Sequence, residues 1–171
     1  YPQLGVDESY KLVIDEQGIG ITANTRFGAF WALQTLAQLV QATDGSLRLP
    51  RVVIDDQPHW RWRGLLLDTA RHFMPVETVQ RLLDGMEMVK LNVLHLHLSE
   101  DHGFRLESKV FPLLQQRGSV DGDFYTQGEM RALIRYAADR GVRSVPEVGL
   151  PGRSVSWEVA YSGMAIDEEE K

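Results

Sequence analysis

The 171-residue sequence contains no cysteine, which excludes disulfides and thiolate metal sites and leaves the redox compartment unreadable from this residue type. A basic surface is missing as well. The 18 Lys and Arg are outnumbered by 24 Asp and Glu, for a formal net charge of −6, and no cluster of cations could neutralise a run of phosphates. No nucleic-acid partner is expected. The most apolar stretch, Gly28 to Val40, is interrupted by Gln34 and Gln38 and is too short to span a bilayer, so no membrane partner is expected either. The chain opens with Tyr1-Pro2-Gln3 rather than with Met followed by a charged and then an apolar segment, so any targeting sequence is expected to lie outside it. What is present is the composition of a globular protein. With 43% hydrophobic and 25% charged residues, there is enough apolar material for the core of one or two compact units.

Patterning divides the chain. Tyr10 to Ile14 and Ile19 to Ala23 read as short strands joined through Asp15-Glu16-Gln17-Gly18, a hairpin connection. Phe27, Phe30, Trp31, Leu33, Leu36, Ala37 and Val40 then recur at helical spacing, giving a helix that packs on this sheet. A turn near Asp44-Gly45-Ser46 leads to Arg51-Val52-Val53-Ile54 and on to Asp55-Asp56-Gln57-Pro58, where proline and polar residues mark a connector. We place a domain boundary there, with residues 1–58 as part of a small α+β domain and 59–171 as the start of a second domain.

Beyond the boundary, strands are predicted over Gly64 to Asp68, Asn92 to Leu98 and Val142 to Val148, with helices over Val76 to Lys90 and Gly128 to Arg140. Strand and helix alternate, which predicts an α/β fold with a parallel sheet. In the middle strand, Val93, His95 and His97 share one face and Leu94, Leu96 and Leu98 the other. The leucine face suits packing against helices. In a (β/α)8 TIM barrel the opposite face points inward, and functional groups gather where strands end and loops begin. Asp68 and Arg71, then Glu100, Asp101 and His102, then Glu147 and Arg153 occupy those ends. Such a barrel takes about 250 residues, so the fold expected here is an incomplete barrel of three β/α units. Its inward face and one sheet edge would be left uncovered unless self-association, or association with the missing barrel segment, covers them.

The stretches Leu67-Asp68-Thr69-Ala70-Arg71-His72-Phe73, Lys90 through Arg105 (KLNVLHLHLSEDHGFR) and Val145-Pro146-Glu147-Val148-Gly149-Leu150-Pro151-Gly152 together resemble glycoside hydrolase family 20 in residues, order and spacing. Trp62-Arg63-Gly64, Tyr125-Thr126-Gln127 and Gly28-Ala29-Phe30 add to the resemblance, which covers nearly the whole chain. It implies a β-N-acetylhexosaminidase that removes terminal β-linked N-acetylglucosamine or N-acetylgalactosamine from a glycan with retention. The substrate's own acetamido oxygen attacks the anomeric carbon, a route outside the usual two-carboxylate scheme. No cofactor or metal is implied. The resemblance suggests a secreted, periplasmic or lysosomal setting, which no signal in the sequence supports.

In the family, an adjacent Asp-Glu pair after the fourth strand carries the chemistry, and no such pair is identifiable here. Asp167-Glu168 lacks a preceding apolar strand and runs into Glu169-Glu170-Lys171, so it reads as a solvated acidic tail. The chain by itself is therefore expected to be incomplete and inactive. Arg71 matches the arginine that binds hydroxyls of the terminal sugar, a task suited to its fixed fork of donors; a structural salt bridge to Asp68 is the plainer alternative. Glu100 matches a carboxylate that supports a histidine in contact with the catalytic acid, and that histidine position is occupied by Arg153. Gly149 stands where the family usually has Asp. Arg153 cannot relay a proton as an imidazole can, and its fixed charge would favour the ionised form of a neighbouring acid. Glu147 reads as a site-wall residue and Trp157, in the loop after the third strand, as a face on which a sugar could stack. Asp101, His102 and Arg105 read as loop braces.

Two rival readings stay open on the residues alone. His95-x-His97 places two imidazoles on one face, where Glu147 or Asp68 could complete the site of a metal-dependent hydrolase on the same fold. Alternatively, a non-catalytic carbohydrate-binding piece would keep Arg71 and hydrolyse nothing.

Overall fold

The computed structural model describes residues 1–164, so the acidic pair Asp167-Glu168 lies outside the described residues. Strands β1 (Tyr10–Asp15) and β2 (Gly18–Ala23) form the hairpin, and helix α1 (Arg26–Leu39) follows. Thr25 caps α1, its side chain accepting the Gly28 N–H at 3.2 Å, which satisfies one of the free donors of the first turn. The turn at Asp44-Gly45 proves to be a second small hairpin, β3 (Gln41–Thr43) and β4 (Ser46–Arg48), before β5 (Val52–Asp56). Strand β5 pairs antiparallel with β1, giving the order β2-β1-β5. Alternation in β1 buries Tyr10, Leu12 and Ile14 against Trp31 and Ala32 of α1.

The second half alternates as its sequence predicts. Strand β6 (Gly64–Asp68), α2 (Val76–Met88), β7 (Val93–His97), the short antiparallel strands β8 (Ser99–Glu100) and β9 (Gly103–Phe104), and α3 (Leu113–Gly118) come first. Then follow α4 (Gln127–Asp139), β10 (Arg143–Glu147), α5 (Val155–Ala160) and a 3-10 turn at Ser162–Met164. Strands β10-β7-β6 make a parallel sheet in that order. Leu94, Leu96 and Leu98 are buried in one cluster with Val79, Leu83 and Met86 of α2 and Met130, Leu133 and Ala137 of α4. The other face is open enough that Leu66 is 53% exposed. Among the described residues, both β6 and β10 have a single strand neighbour, so the sheet they form has two free edges where one was expected. Among the described residues, no helix is long and apolar enough to cross a membrane.

Two helix ends decide how the halves meet. A capping box of Thr126 and Glu129 opens α4. It closes with Gly141 N–H on Ala138 O and Val142 N–H on Ala137 O, the bond pair of a Schellman motif. Gly141 has φ +71°, and a Cβ there would approach Trp31 of α1 to 3.0 Å, so glycine serves both the left-handed turn and the close contact. Helix α2 closes in the same way, but Lys90 takes the left-handed position at φ 59°. Its ammonium donates to Tyr10 Oη at 2.9 Å and Thr35 Oγ1 at 2.5 Å, with Asp56 at 3.4 Å. These bonds offset the roughly 1–2 kcal/mol that a side chain costs in that conformation.

A second polar joint lies beside it. Asn92 accepts the Arg63 N–H at 2.9 Å and donates to Glu8 at 3.0 Å and to the Arg61 carbonyl at 2.9 Å, while Arg63 is ion-paired with Glu8. Replacing Asn92 by Ala strips three bonds, one of them to the buried Glu8 and two to part-buried backbone groups. Urea titration of Asn92→Ala is expected to show a loss of about 1–3 kcal/mol; an unchanged midpoint would mean that this joint contributes nothing.

Candidate functional site

The parallel register sets Asp68, His97 and Glu147 level with one another, because Asp68 pairs with His97 on one side and Glu147 pairs with His97 on the other. All three stand at the C-terminal ends of their strands and on the face opposite the leucines. His95, one row below, shares that face. Glu147 bridges the two imidazoles, with His95 Nε2 at 2.7 Å and His97 Nδ1 at 2.9 Å. The bond from His97, reinforced by the neighbouring imidazoles, holds the Glu147 carboxyl below its ordinary range. The histidine pair considered for a metal is thus spent on one carboxylate. Among the described residues, no group of three or more His, Cys, Asp or Glu is arranged to hold a metal ion.

Arg71 lies in the loop that follows β6. Asp68 shapes that loop: its Oδ1 accepts the N–H groups of Ala70 and Arg71, both at 3.1 Å, and its Oδ2 is ion-paired with Nη1 of Arg71. Nη2 of the same guanidinium donates to Oε1 of Glu100 at 2.7 Å. The plain salt bridge to Asp68 therefore exists, and Glu100 joins it from β8 to bracket the cation. Burial alone would raise the Asp68 carboxyl, but the Arg71 N–H and guanidinium, with His97 nearby, hold it below the usual carboxylate range. Burial likewise works against ionised Glu100 and is outweighed by the bond from His102, the Arg71 charge and the Asp101 N–H, so its carboxyl also lies low. Bonding to Asp68, opposed by some burial, raises the Arg71 guanidinium above its already high value.

Glu100 sits directly under the β8–β9 turn, whose two linking residues are Asp101 and His102. Its Oε2 accepts the Asp101 N–H at 2.8 Å and lies 3.2 Å from His102 Nδ1. Arg153 approaches Oε1 only to 3.9 Å, with a side chain 66% exposed and a backbone φ of +58°. Gly149 donates its N–H to Ser99 Oγ at 3.0 Å. A Cβ at Gly149 would meet nothing nearer than Gly152 O at 3.6 Å, which is ordinary contact, so the glycine is not a steric demand.

Arg105 is the residue whose importance the sequence understated. Only 1% of its side chain is exposed. It donates to the carbonyls of Thr69 (3.0 Å) and Ala70 (3.0 and 3.2 Å), the two residues just before Arg71, and to Asp123 O at 2.8 Å, and it is ion-paired with Asp121. Trp157 needs a correction of place: it lies in helix α5, not in a loop. Its ring meets Phe104 edge to face at 5.1 Å beside Leu114 and Ala160, and its indole N–H is enclosed without a partner among the described residues. The missed signal was the short helix itself.

A mixed α/β chain whose strand ends gather two carboxylates around an arginine is the class that the fold and site define. The family model for the catalytic domain of glycosyl hydrolase family 20 matches residues 60–171, and that for domain 2 of the family matches residues 3–57. The chain belongs to glycosyl hydrolase family 20. It is 40% identical over 159 residues to the beta-hexosaminidase subunit beta of Mus musculus and 37% identical over 180 residues to the beta-hexosaminidase of Vibrio furnissii. The alignments cover 92% and 95% of this chain and 30% of each relative, so the chain spans about a third of the length of these relatives. Among solved structures, the chitobiase of Flavobacterium johnsoniae superposes with a TM-score of 0.92 at 41% identity, covering 95% of this chain and 25% of that one. The exo β-N-acetylglucosaminidase of Vibrio harveyi in complex with N-acetylglucosamine superposes at 0.88 with 34% identity, covering 99% of this chain and 29% of that one.

The bracketing of Arg71 has a consequence for stability. Depressed folded-state values for Asp68 and Glu100 mean that ionised, paired carboxylates stabilise the fold above the unfolded values of about 4, and that this stabilisation is lost as pH falls through the folded values. The urea midpoint of the wild type is expected to drop between pH 5 and pH 3. In Arg71→Ala, which removes the shared cation, the drop should be smaller; an identical acid limb would show that the bracket is energetically silent.

Proposed function

We propose that this chain supplies the sugar-recognising part of an exo-acting β-N-acetylhexosaminidase, which removes terminal β-linked N-acetylglucosamine or N-acetylgalactosamine from glycans by substrate-assisted, retaining hydrolysis. In this reading, residues 1–58 belong to the small α+β domain and residues 59–171 form the first three β/α units of a (β/α)8 barrel. The family matches at 3–57 and 60–171 and the three in-register parallel strands support that division.

The observation that carries the reading is the guanidinium of Arg71, held between Asp68 and Glu100 at the strand ends. A guanidinium has five N–H donors. Two carboxylates fix its orientation, and its remaining donors are left for neutral oxygens such as vicinal hydroxyls. Preorganisation of this kind lowers the ordering cost of binding. Glu100 and Arg153 are supporting positions, Glu147 forms the site wall, and Trp157 acts on the site by packing under the loop rather than by offering an open face. The residues that polarise the acetamido group and protonate the leaving oxygen come from the remainder of the assembled site, so turnover belongs to that assembly.

Calorimetric titration of the 171-residue chain with N-acetylglucosamine should show saturable binding. Arg71→Ala should weaken it about 10- to 100-fold, the equivalent of losing hydrogen bonds to a charged group worth about 1.5–3 kcal/mol. A chromogenic N-acetyl-β-glucosaminide should be bound and left intact. Turnover sensitive to Arg71→Ala would show that the chain holds its own catalytic acid, and binding indifferent to Arg71 would overturn the site.

A further inference from the structure

The carboxylate that holds Arg71 has another side-chain partner to which the proposed sugar grip gives no role. Glu100 is 5% exposed, so few groups reach it. Oε1 is engaged with Arg71 Nη2 at 2.7 Å, while Oε2 takes the Asp101 N–H at 2.8 Å and has His102 Nδ1 at 3.2 Å. An ionised carboxylate oxygen can only accept, so the His102 contact requires a proton on Nδ1. A neutral imidazole then presents a bare Nε2, and a charged one carries a proton on both nitrogens. The His102 side chain is 66% exposed at the tip of the β8–β9 turn, where solvent reaches the imidazole.

We infer that His102 is a positioning residue for Arg71: the imidazole and the guanidinium share the Glu100 carboxylate, and charging the imidazole loosens the hold of Glu100 on Arg71. When His102 gains a proton, its bond to the ionised Oε2, already charge-assisted through the carboxylate, becomes a full ion pair. A second cation then stands on the carboxylate that Arg71 uses, and the two cations repel. Asp68 keeps Nη1 throughout, so the guanidinium pivots about Asp68 rather than leaving the site.

The remaining charged groups around the turn do not supply this response. Arg153 stands 3.9 Å from Oε1 and stays charged at all relevant pH. The Asp101 carboxylate accepts the Val155 N–H at 3.1 Å, and Arg105 below is paired with Asp121. The functional consequence, a sugar grip whose geometry follows the charge on His102, rests on the reading of Arg71 proposed above. The coupling itself does not.

The test separates the two. In the ligand-free, 15N-labelled chain, the Arg71 side-chain Nε–H resonance is followed from pH 5 to pH 8. A single titration is expected in the wild type, and it should vanish in His102→Gln, whose amide can donate but does not charge, and in Glu100→Gln, which removes the shared anion. No titration in the wild type would overturn the inference, as would one that persists in His102→Gln and so belongs to His72, His95 or His97. N-acetylglucosamine is then added at pH 8. A shifted Arg71 resonance supports the sugar reading; an unmoved one, with the titration intact, overturns that reading while the His102–Glu100–Arg71 coupling stands.

Discussion

The in-register parallel pairing of β6, β7 and β10 is the constraint on which the rest of the structure depends. Side chains alternate across a strand with a period of two, so slipping β7 by one residue would send His97 to the helices and Leu96 to the open face. Burial of Leu94, Leu96 and Leu98, none more than 1% exposed, makes that slip prohibitive, at about 1.5–3 kcal/mol for each side chain returned to water. The polar row of Asp68, His97 and Glu147 is level because the leucines leave it no alternative. The polar groups of the open face are placed here by apolar residues on the reverse of the same strands.

Strands alone do not aim Arg71, since it sits three residues past the end of β6. Two devices fix it. Asp68 folds the loop back by accepting two of its N–H groups, and Arg105 fastens the Thr69 and Ala70 carbonyls from below. A guanidinium as buried as Arg105 is stable only if fully paired, and its bonds to three carbonyls and Asp121 supply that. The site also demands a glycine at 103, where a Cβ would stand 2.6 Å from the Arg105 guanidinium carbon. The β6 loop and the 119–125 loop are thereby tied to one cation, which braces the residues just before Arg71.

The physical reach of the sequence is clear from what it revealed and what it hid. Helices of 13 or 14 residues such as α1, α2 and α4 display several turns of apolar period, and the parallel strands carry a leucine alternation or lie between turn residues, so each was legible to within about two residues. The hairpin β3–β4, the pair β8–β9 and the six-residue helices α3 and α5 are too short to show a period, and all were missed. Missing α5 is why Trp157 looked like an open loop ring. Asp68, Arg71, Glu100, Asp101, His102, Glu147 and Arg153 stood out as polar residues near strand ends, and only the family resemblance singled out Arg71 and Glu100 among them. That one carboxylate gathers Arg71, Asp101 and His102 was hidden, because it follows from how a two-residue turn folds over Glu100 and not from any spacing.

Arg153 shows how far a substitution at a site can be decoupled from its neighbours. A mostly exposed guanidinium 3.9 Å from a carboxylate gains about 0–1 kcal/mol, less than the roughly 1–2 kcal/mol that its left-handed backbone costs. The Glu100 attraction therefore does not hold residue 153 where it is; the backbone of the loop after β10 does. The charge nevertheless acts at a distance. Two guanidinium groups and an imidazole face Glu100, and Asp68 shares the Arg71 guanidinium with it. The unused N–H donors of the guanidinium groups favour acceptors such as a hydroxyl or a carbonyl beside Glu100. A neutral carboxylic acid placed beside the fixed charge of Arg153 would be drawn toward ionisation, which works against a proton donor at the same spot.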